Sequence, residues 1–172
     1  MIRPLPAEYP AYYKSYIDLV ETDNVIKELS DQIIDVQKLI SGVPEEKESF
    51  AYAPGKWTVK EVLGHIIDTE RIMAYRALRF SRKDKTALSG FDEDKFVANA
   101  NFNKRTLYDL AHEFGVVRES NIALFKHFDE TALSELGNAN GKEISVRSLL
   151  FVIAGHTTHH LNVIKKKYLA DI

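Results

Sequence analysis

Thr58, with Glu61 three residues on and a long apolar repeat after it, constrains the fold more tightly than any other feature of the chain. In this arrangement the threonine hydroxyl accepts a hydrogen bond from the third backbone N–H of a helix. The glutamate carboxylate accepts one from the threonine N–H, so two first-turn donors are satisfied together. Trp57, just before the cap, is placed as a hydrophobic staple. Val59, Val62, Leu63, Ile66, Ile67, Ala74, Ala77 and Leu78 then recur on one side until about Phe80. That is a rod about 35 Å long at about 1.5 Å per residue. A rod with one apolar face must bury that face against others like it.

The remaining chain supplies them. A helix is expected from about Asp23 to Ile40, with Val25, Ile26, Leu29, Ile33, Val36 and Ile40 at helical spacing, stopped by Gly42 and Pro44. Tyr9 to Ile17 reads as a short lead-in helix with Pro10 in its first turn. Residues 43–56 form a connection, and Ser81 to Phe91 a charged loop. A short helix covers Asp92 to Ala100, after which Asn103 caps a long one reaching about Phe128. Asn138 to Lys142 reads as a turn. The alternation around it is too slight to indicate a hairpin. Ser145 caps the last helix, which closes on Lys165, Lys166 and Lys167. The expected fold is all-α: a four-helix bundle with short additional helices, in one domain over residues 1–172.

Composition narrows the function classes. Net charge is −2, which gives no electrostatic case for nucleic acid or an anionic membrane as partner. There are no cysteines, so disulfides, thiolate ligands and a cysteine nucleophile are excluded together. The opening Met1-Ile-Arg-Pro-Leu-Pro does not read as a signal peptide. No apolar run approaches the roughly 18 residues of a membrane span. A cytoplasmic protein is the expectation.

Three of the six histidines fall within five residues, at positions 156, 159 and 160. Val146, Leu149, Leu150, Ile153, His156, His160 and Ile164 follow one i, i+3/i+4 line, so His156 and His160 stand one turn apart on the stripe that faces the core. Buried imidazoles need partners. One cation shared between them is the simplest, and two satisfied core histidines are the alternative. His65 lies at the edge of the apolar stripe on the Thr58-capped helix. Alone it reads as a structural histidine, but a three-histidine site needs its third ligand from another segment, and His65 is placed to supply it. The zincin pattern is broken by Thr157, where the catalytic glutamate would stand, which argues against a metalloprotease.

Other polar residues read more plainly. His159 is rotated away from the shared line, in a supporting or surface place. His112 and His127 are expected to be solvated. Asp68 is either an exposed acid, the favoured reading, or a carboxylate steadying His65. Arg71, Arg76, Arg79 and Arg82 give their helix a basic edge that suits its dipole; the minority reading has some of them holding substrate carboxylates.

In these residues and the motifs around them the chain resembles the DinB-like superfamily, and most closely its YfiT-type branch. The resemblance opens on Arg3-Pro4 and Tyr9 to Val20, then runs through Tyr52-Ala-Pro-Gly-Lys-Trp-Thr-Val-Lys-Glu-Val-Leu-Gly-His65 to Arg71, Tyr75 to Phe80 and Gly90 to Asp94. It continues at Arg118-Glu-Ser-Asn121 and Ser145 to Arg147, and ends with Ile153-Ala-Gly-His-Thr-Thr-His-His160. The resemblance implies a bundle with one divalent metal on His65, His156 and His160. It further implies either a metal-dependent hydrolase or a transferase using a low-molecular-weight thiol such as bacillithiol or mycothiol, in many members as a homodimer.

Three neutral imidazoles leave coordination positions open, as in catalytic sites. The chemistry they suit is hydrolysis by an activated water, or thiol transfer with the sulfur brought by a cosubstrate; the second is preferred. A non-catalytic bundle that binds a small molecule and is braced by its metal is the third reading. The ion is expected to be zinc or nickel.

Overall fold

The computed structural model describes residues 3–170. The first two residues of the segment read for a signal peptide, and the last two of the expected domain, lie outside them.

Short 3₁₀ turns at Pro6–Glu8 and Ala11–Tyr13 lead into α1 (Lys14–Ile17). Next come α2 (Val25–Ser41), the single turn α3 (Glu45–Glu48), α4 (Val59–Ser81) and α5 (Glu93–Ala100). After a 3₁₀ turn at Phe102–Lys104 follow α6 (Leu107–Phe125), α7 (Glu130–Ser134), strands β1 (Leu136–Ala139) and β2 (Lys142–Ser145), and α8 (Val146–Val163). The last described helical element is a π-helical turn, Ile164–Tyr168. Among the described residues no helix is long and apolar enough to cross a membrane.

The long helices α2, α4, α6 and α8 form the bundle. α4 packs on α6 and α8, and α2 packs on the same two, so the consecutive helices α2 and α4 lie across a diagonal. The connections 42–58 and 126–145 carry those crossings, which is why they are longer than simple hairpin turns. α1 lies against α8, close enough that a Cβ on Gly155 would sit 1.9 Å from the Tyr16 carbonyl oxygen.

The Thr58–Glu61 capping box forms as expected. Asn103 does not start α6. Thr106 caps that helix, and Asn103 instead donates to Glu61 Oε1 at 3.0 Å and accepts from the Thr58 hydroxyl at 2.8 Å. It extends the capping box of α4 from a 3₁₀ turn, a role invisible in local spacing.

Residues 136–145 form a hairpin, where the sequence reading saw only a turn. β1 and β2 pair antiparallel with Ala139 opposite Lys142. Asn140 and Gly141 both have positive φ, 54° and 72°, as a two-residue type I′ turn requires. The Asn-Gly pair was the stronger signal, and four-residue strands are too short for alternation to add to it.

The core divides into two apolar clusters, one built on Leu29, Phe80, Phe125 and Leu150, the other on Val36, Leu63, Phe114 and Leu161. Between them one polar residue from each long helix meets the others: Gln32, Glu70, Arg118 and Thr157. Arg118 donates to Glu70 Oε1 at 2.7 Å, to Gln32 Oε1 at 2.8 Å, to the Leu29 carbonyl at 2.9 Å and to the Thr157 hydroxyl at 3.0 Å. Gln32 passes its amide N–H to the Ala154 carbonyl at 2.9 Å. This layer fixes the vertical register of α8 against α4, and with it the position of His156, next to Thr157, and of His160 one turn further on.

Candidate metal centre

α4 and α8 bring His65, His156 and His160 together at the edge of the polar layer. The Nε2 atoms of His65 and His156 are 3.0 Å apart, and those of His160 and His156 are 3.1 Å apart. One ligand nitrogen from each ring lies within 4.8 Å of the others. His65 and His156 are buried, and His160 is half-buried.

Burial also decides their charge. His65 is held at about 4 by desolvation, against the opposing pull of Asp94 and with the help of His159. His160 is lowered to about 3 by desolvation, then by His65 and His159. For His156, fully enclosed, desolvation and its histidine neighbours push in the same direction, well below the ordinary range. All three rings are therefore neutral near pH 7, the form that offers a lone pair.

This donor set fits a divalent cation. Three Nε2 atoms face one another, and one shared N–H cannot satisfy all of them. Two ligand nitrogens at about 2.0–2.1 Å from a common ion stand roughly 3 Å apart, close to the two separations found.

Aromatic rings hold the imidazoles in place. The Trp57 ring lies 4.7 Å from that of His65, and Tyr16 meets His156 edge-on at 5.4 Å. Tyr168, from the π-helical turn, donates to the Trp57 carbonyl at 2.6 Å and so ties the 52–57 segment down over His65. Gly155 lets α1 approach closely enough to deliver Tyr16. None of these roles follows from spacing, although Trp57 stood out beside the cap.

His159 lies outside the trio. Its ring meets Tyr16 edge-on at 5.4 Å and lines a cleft with His160. His112 and His127 are exposed. Asp68 faces Arg71, Glu113 and Arg105, and no hydrogen bond joins it to His65 among the described residues.

Two clefts reach the rings. One, of about 370 Å³, ends on His160 and is lined by Tyr52, Lys56, Trp57, Asp94 and Tyr168 among others. The second, of about 280 Å³, ends on His65 and His156, with Tyr13, Tyr16, Thr69 and Arg76 in its walls.

The chain is 27% identical over 129 residues, 73% of its own length and 73% of the relative's, to a protein of Oceanobacillus iheyensis named "Putative metal-dependent hydrolase OB0413". Its fold is similar to that of YfiT from Bacillus subtilis, described as a probable metal-dependent hydrolase with an unusual four-helix bundle topology. There the TM-score is 0.79 at 15% identity, covering 86% of each chain. It is also similar to the mycothiol-dependent maleylpyruvate isomerase, with a TM-score of 0.66 at 12% identity, over 87% of this chain and 62% of that one. The model of the DinB superfamily matches residues 28–164, from the first turn of α2 to just past the end of α8, and the chain belongs to that superfamily.

Proposed function

We propose that this chain is a metal-dependent enzyme acting on small molecules, with His65, His156 and His160 as the ligands of one divalent ion. Within that class we assign it to transfer of a low-molecular-weight thiol onto an electrophile. The observation that carries the assignment is the pair of clefts, one ending on His160 and the other on His65 and His156. A transfer between two substrates needs two approaches to one reacting centre, whereas hydrolysis needs one approach and water.

A divalent ion on neutral imidazoles supplies Lewis acidity that favours the deprotonated form of a thiol or a water. The chain's own residues do the rest. Burial keeps the three rings unprotonated, and Trp57 and Tyr16 pack against the rings of His65 and His156. The half-enclosed clefts limit water around the reacting atoms. In the transfer the cosubstrate sulfur gives up its proton to solvent and forms the C–S bond, and the leaving group departs with its electron pair. The chain has no cysteine of its own to compete.

Hydrolysis is the second reading, favoured by Asp94. Its carboxylate lines the cleft beside His160 and acts on His65, where a general base for water would stand. The test is turnover of an arylating probe, 1-chloro-2,4-dinitrobenzene, by metal-loaded protein with and without bacillithiol or mycothiol. Thiol-dependent turnover that disappears in His160→Ala supports transfer. Metal-dependent turnover of an ester or amide in water alone, with no response to thiol, replaces it with hydrolysis.

A further inference from the structure

Arg76 is 3% exposed, yet no carboxylate lies within ion-pair distance of it among the described residues. Arg71, Arg79, Arg105, Arg118 and Arg147 each face one, as does Arg3. Arg82, the other arginine with no acid, is exposed and lies over the Phe128 ring. A guanidinium carries five N–H donors. Arg76 gives one to the Ser89 carbonyl at 2.9 Å and another to the weak acceptor Met73 Sδ at 3.4 Å, and it stands beside the Tyr13 hydroxyl, so all its partners are neutral and the charge has no counter-ion among the described residues. A buried charge left this way is costly unless something else completes it.

A second polar group in the same wall is also incomplete. Thr69 is 4% exposed, and its hydroxyl oxygen is buried with no hydrogen-bond partner. Thr69 and Arg76 line the cleft that ends on His65 and His156. On α4, His65, Thr69 and Arg76 follow at i, i+4 and i+11, which places them on one face. The rise from 65 to 76 is about 16 Å, and a helical side chain leans toward the N-terminus, so Arg76 reaches back toward His65.

We infer that Arg76 and Thr69 bind the carboxylate of an organic acid whose other end reacts beside His65 and His156. This rests on the reading of the three-histidine centre as the reacting site. A monoanion suits the cleft better than a phosphate. Arg76 is the one cationic side chain in its lining, and Glu93 at the exposed edge would repel a second negative charge. Tyr12, Tyr13, Tyr16, Phe91 and Met73 give the acid an aromatic or unsaturated body to pack against.

The test is calorimetric titration of benzoate, phenyl phosphate and benzamide into the wild type, Arg76→Gln and Thr69→Val. Each protein is measured metal-loaded and after chelator treatment, with metal content and melting temperature recorded. Benzoate is expected to bind the wild type and to weaken roughly tenfold or more in Arg76→Gln and a few-fold in Thr69→Val. Benzamide should be indifferent to both changes. The dependence on Arg76 should survive chelation, so a chain found to hold no metal would leave this result standing. Equal benzoate affinity in Arg76→Gln, or benzamide binding as tightly as benzoate, overturns the proposal. Phenyl phosphate binding more tightly than benzoate overturns the choice of carboxylate. If Arg76→Gln does not fold, Thr69→Val decides, and unchanged benzoate binding there overturns the proposal.

Discussion

Replacing Arg118 by Met should cost about 3–5 kcal/mol, the range for removing one partner of a buried ion pair. The pair lies at the centre of the bundle, with Arg118 and Glu70 side chains 0% and 1% exposed. The substitution leaves Glu70 with only Asn121, at 3.1 Å, and strips donors from Gln32, Thr157 and the Leu29 carbonyl. Against a total stability of about 5–15 kcal/mol, that loss is large enough to read directly from a urea midpoint. Glu70→Leu alone should be comparably damaging, because it leaves a guanidinium in the core without its counter-charge. The double variant should recover at least about 2 kcal/mol relative to the sum of the two, since no lone charge remains; the unpaired Gln32 and Leu29 acceptors keep it below wild type. Unfolding followed by circular dichroism in chelator-containing buffer gives the full cycle. Additive single effects, or an Arg118→Met loss below about 1 kcal/mol, would refute the view that this layer is a coupled unit.

Gly155→Ala should lower the melting temperature despite the better helix propensity of alanine, because its Cβ would stand 1.9 Å from the Tyr16 carbonyl; the expected net cost is about 1–3 kcal/mol. A raised melting temperature would contradict the contact. In chelator, stability should fall as pH drops from about 6.5 toward 4, since unfolded imidazoles take up protons there while folded His65 and His160, held at about 4 and about 3, do not. His160→Gln should flatten that slope by about one proton, roughly 1.4 kcal/mol per pH unit, and an unchanged slope would contradict it. Trp57 is the single tryptophan, its ring 4.7 Å from His65, so one equivalent of Ni²⁺ should quench the fluorescence, and His65→Ala should abolish the effect. Quenching that persists in His65→Ala would place the ion elsewhere.

The long helices were legible because each carries its own apolar period and a local cap. α4 was read almost to the residue, since Thr58 and Glu61 satisfy each other within one turn. The hairpin was missed because its strands are four residues long, and Asn103 because its partners lie more than 40 positions away. The convergence of His65 with the α8 pair follows from stripe geometry together with the requirement for a third ligand on a facing helix. The polar layer left no such trace, since Gln32, Glu70, Arg118 and Thr157 each interrupt a stripe singly and acquire meaning only when four helices align them. Arg76 is the sharpest case. Sequence grouped it with Arg71, Arg79 and Arg82 as one basic edge, and only burial separates it from them.

Metal content per chain is the most direct measurement of the account. Purified wild-type protein, equilibrated with Zn²⁺ or Ni²⁺ and dialysed, should retain one equivalent. His65→Ala, His156→Ala and His160→Ala should each lose it while keeping a helical circular dichroism spectrum. One tightly held equivalent persisting in any of the three folded variants would contradict a shared centre built on those rings.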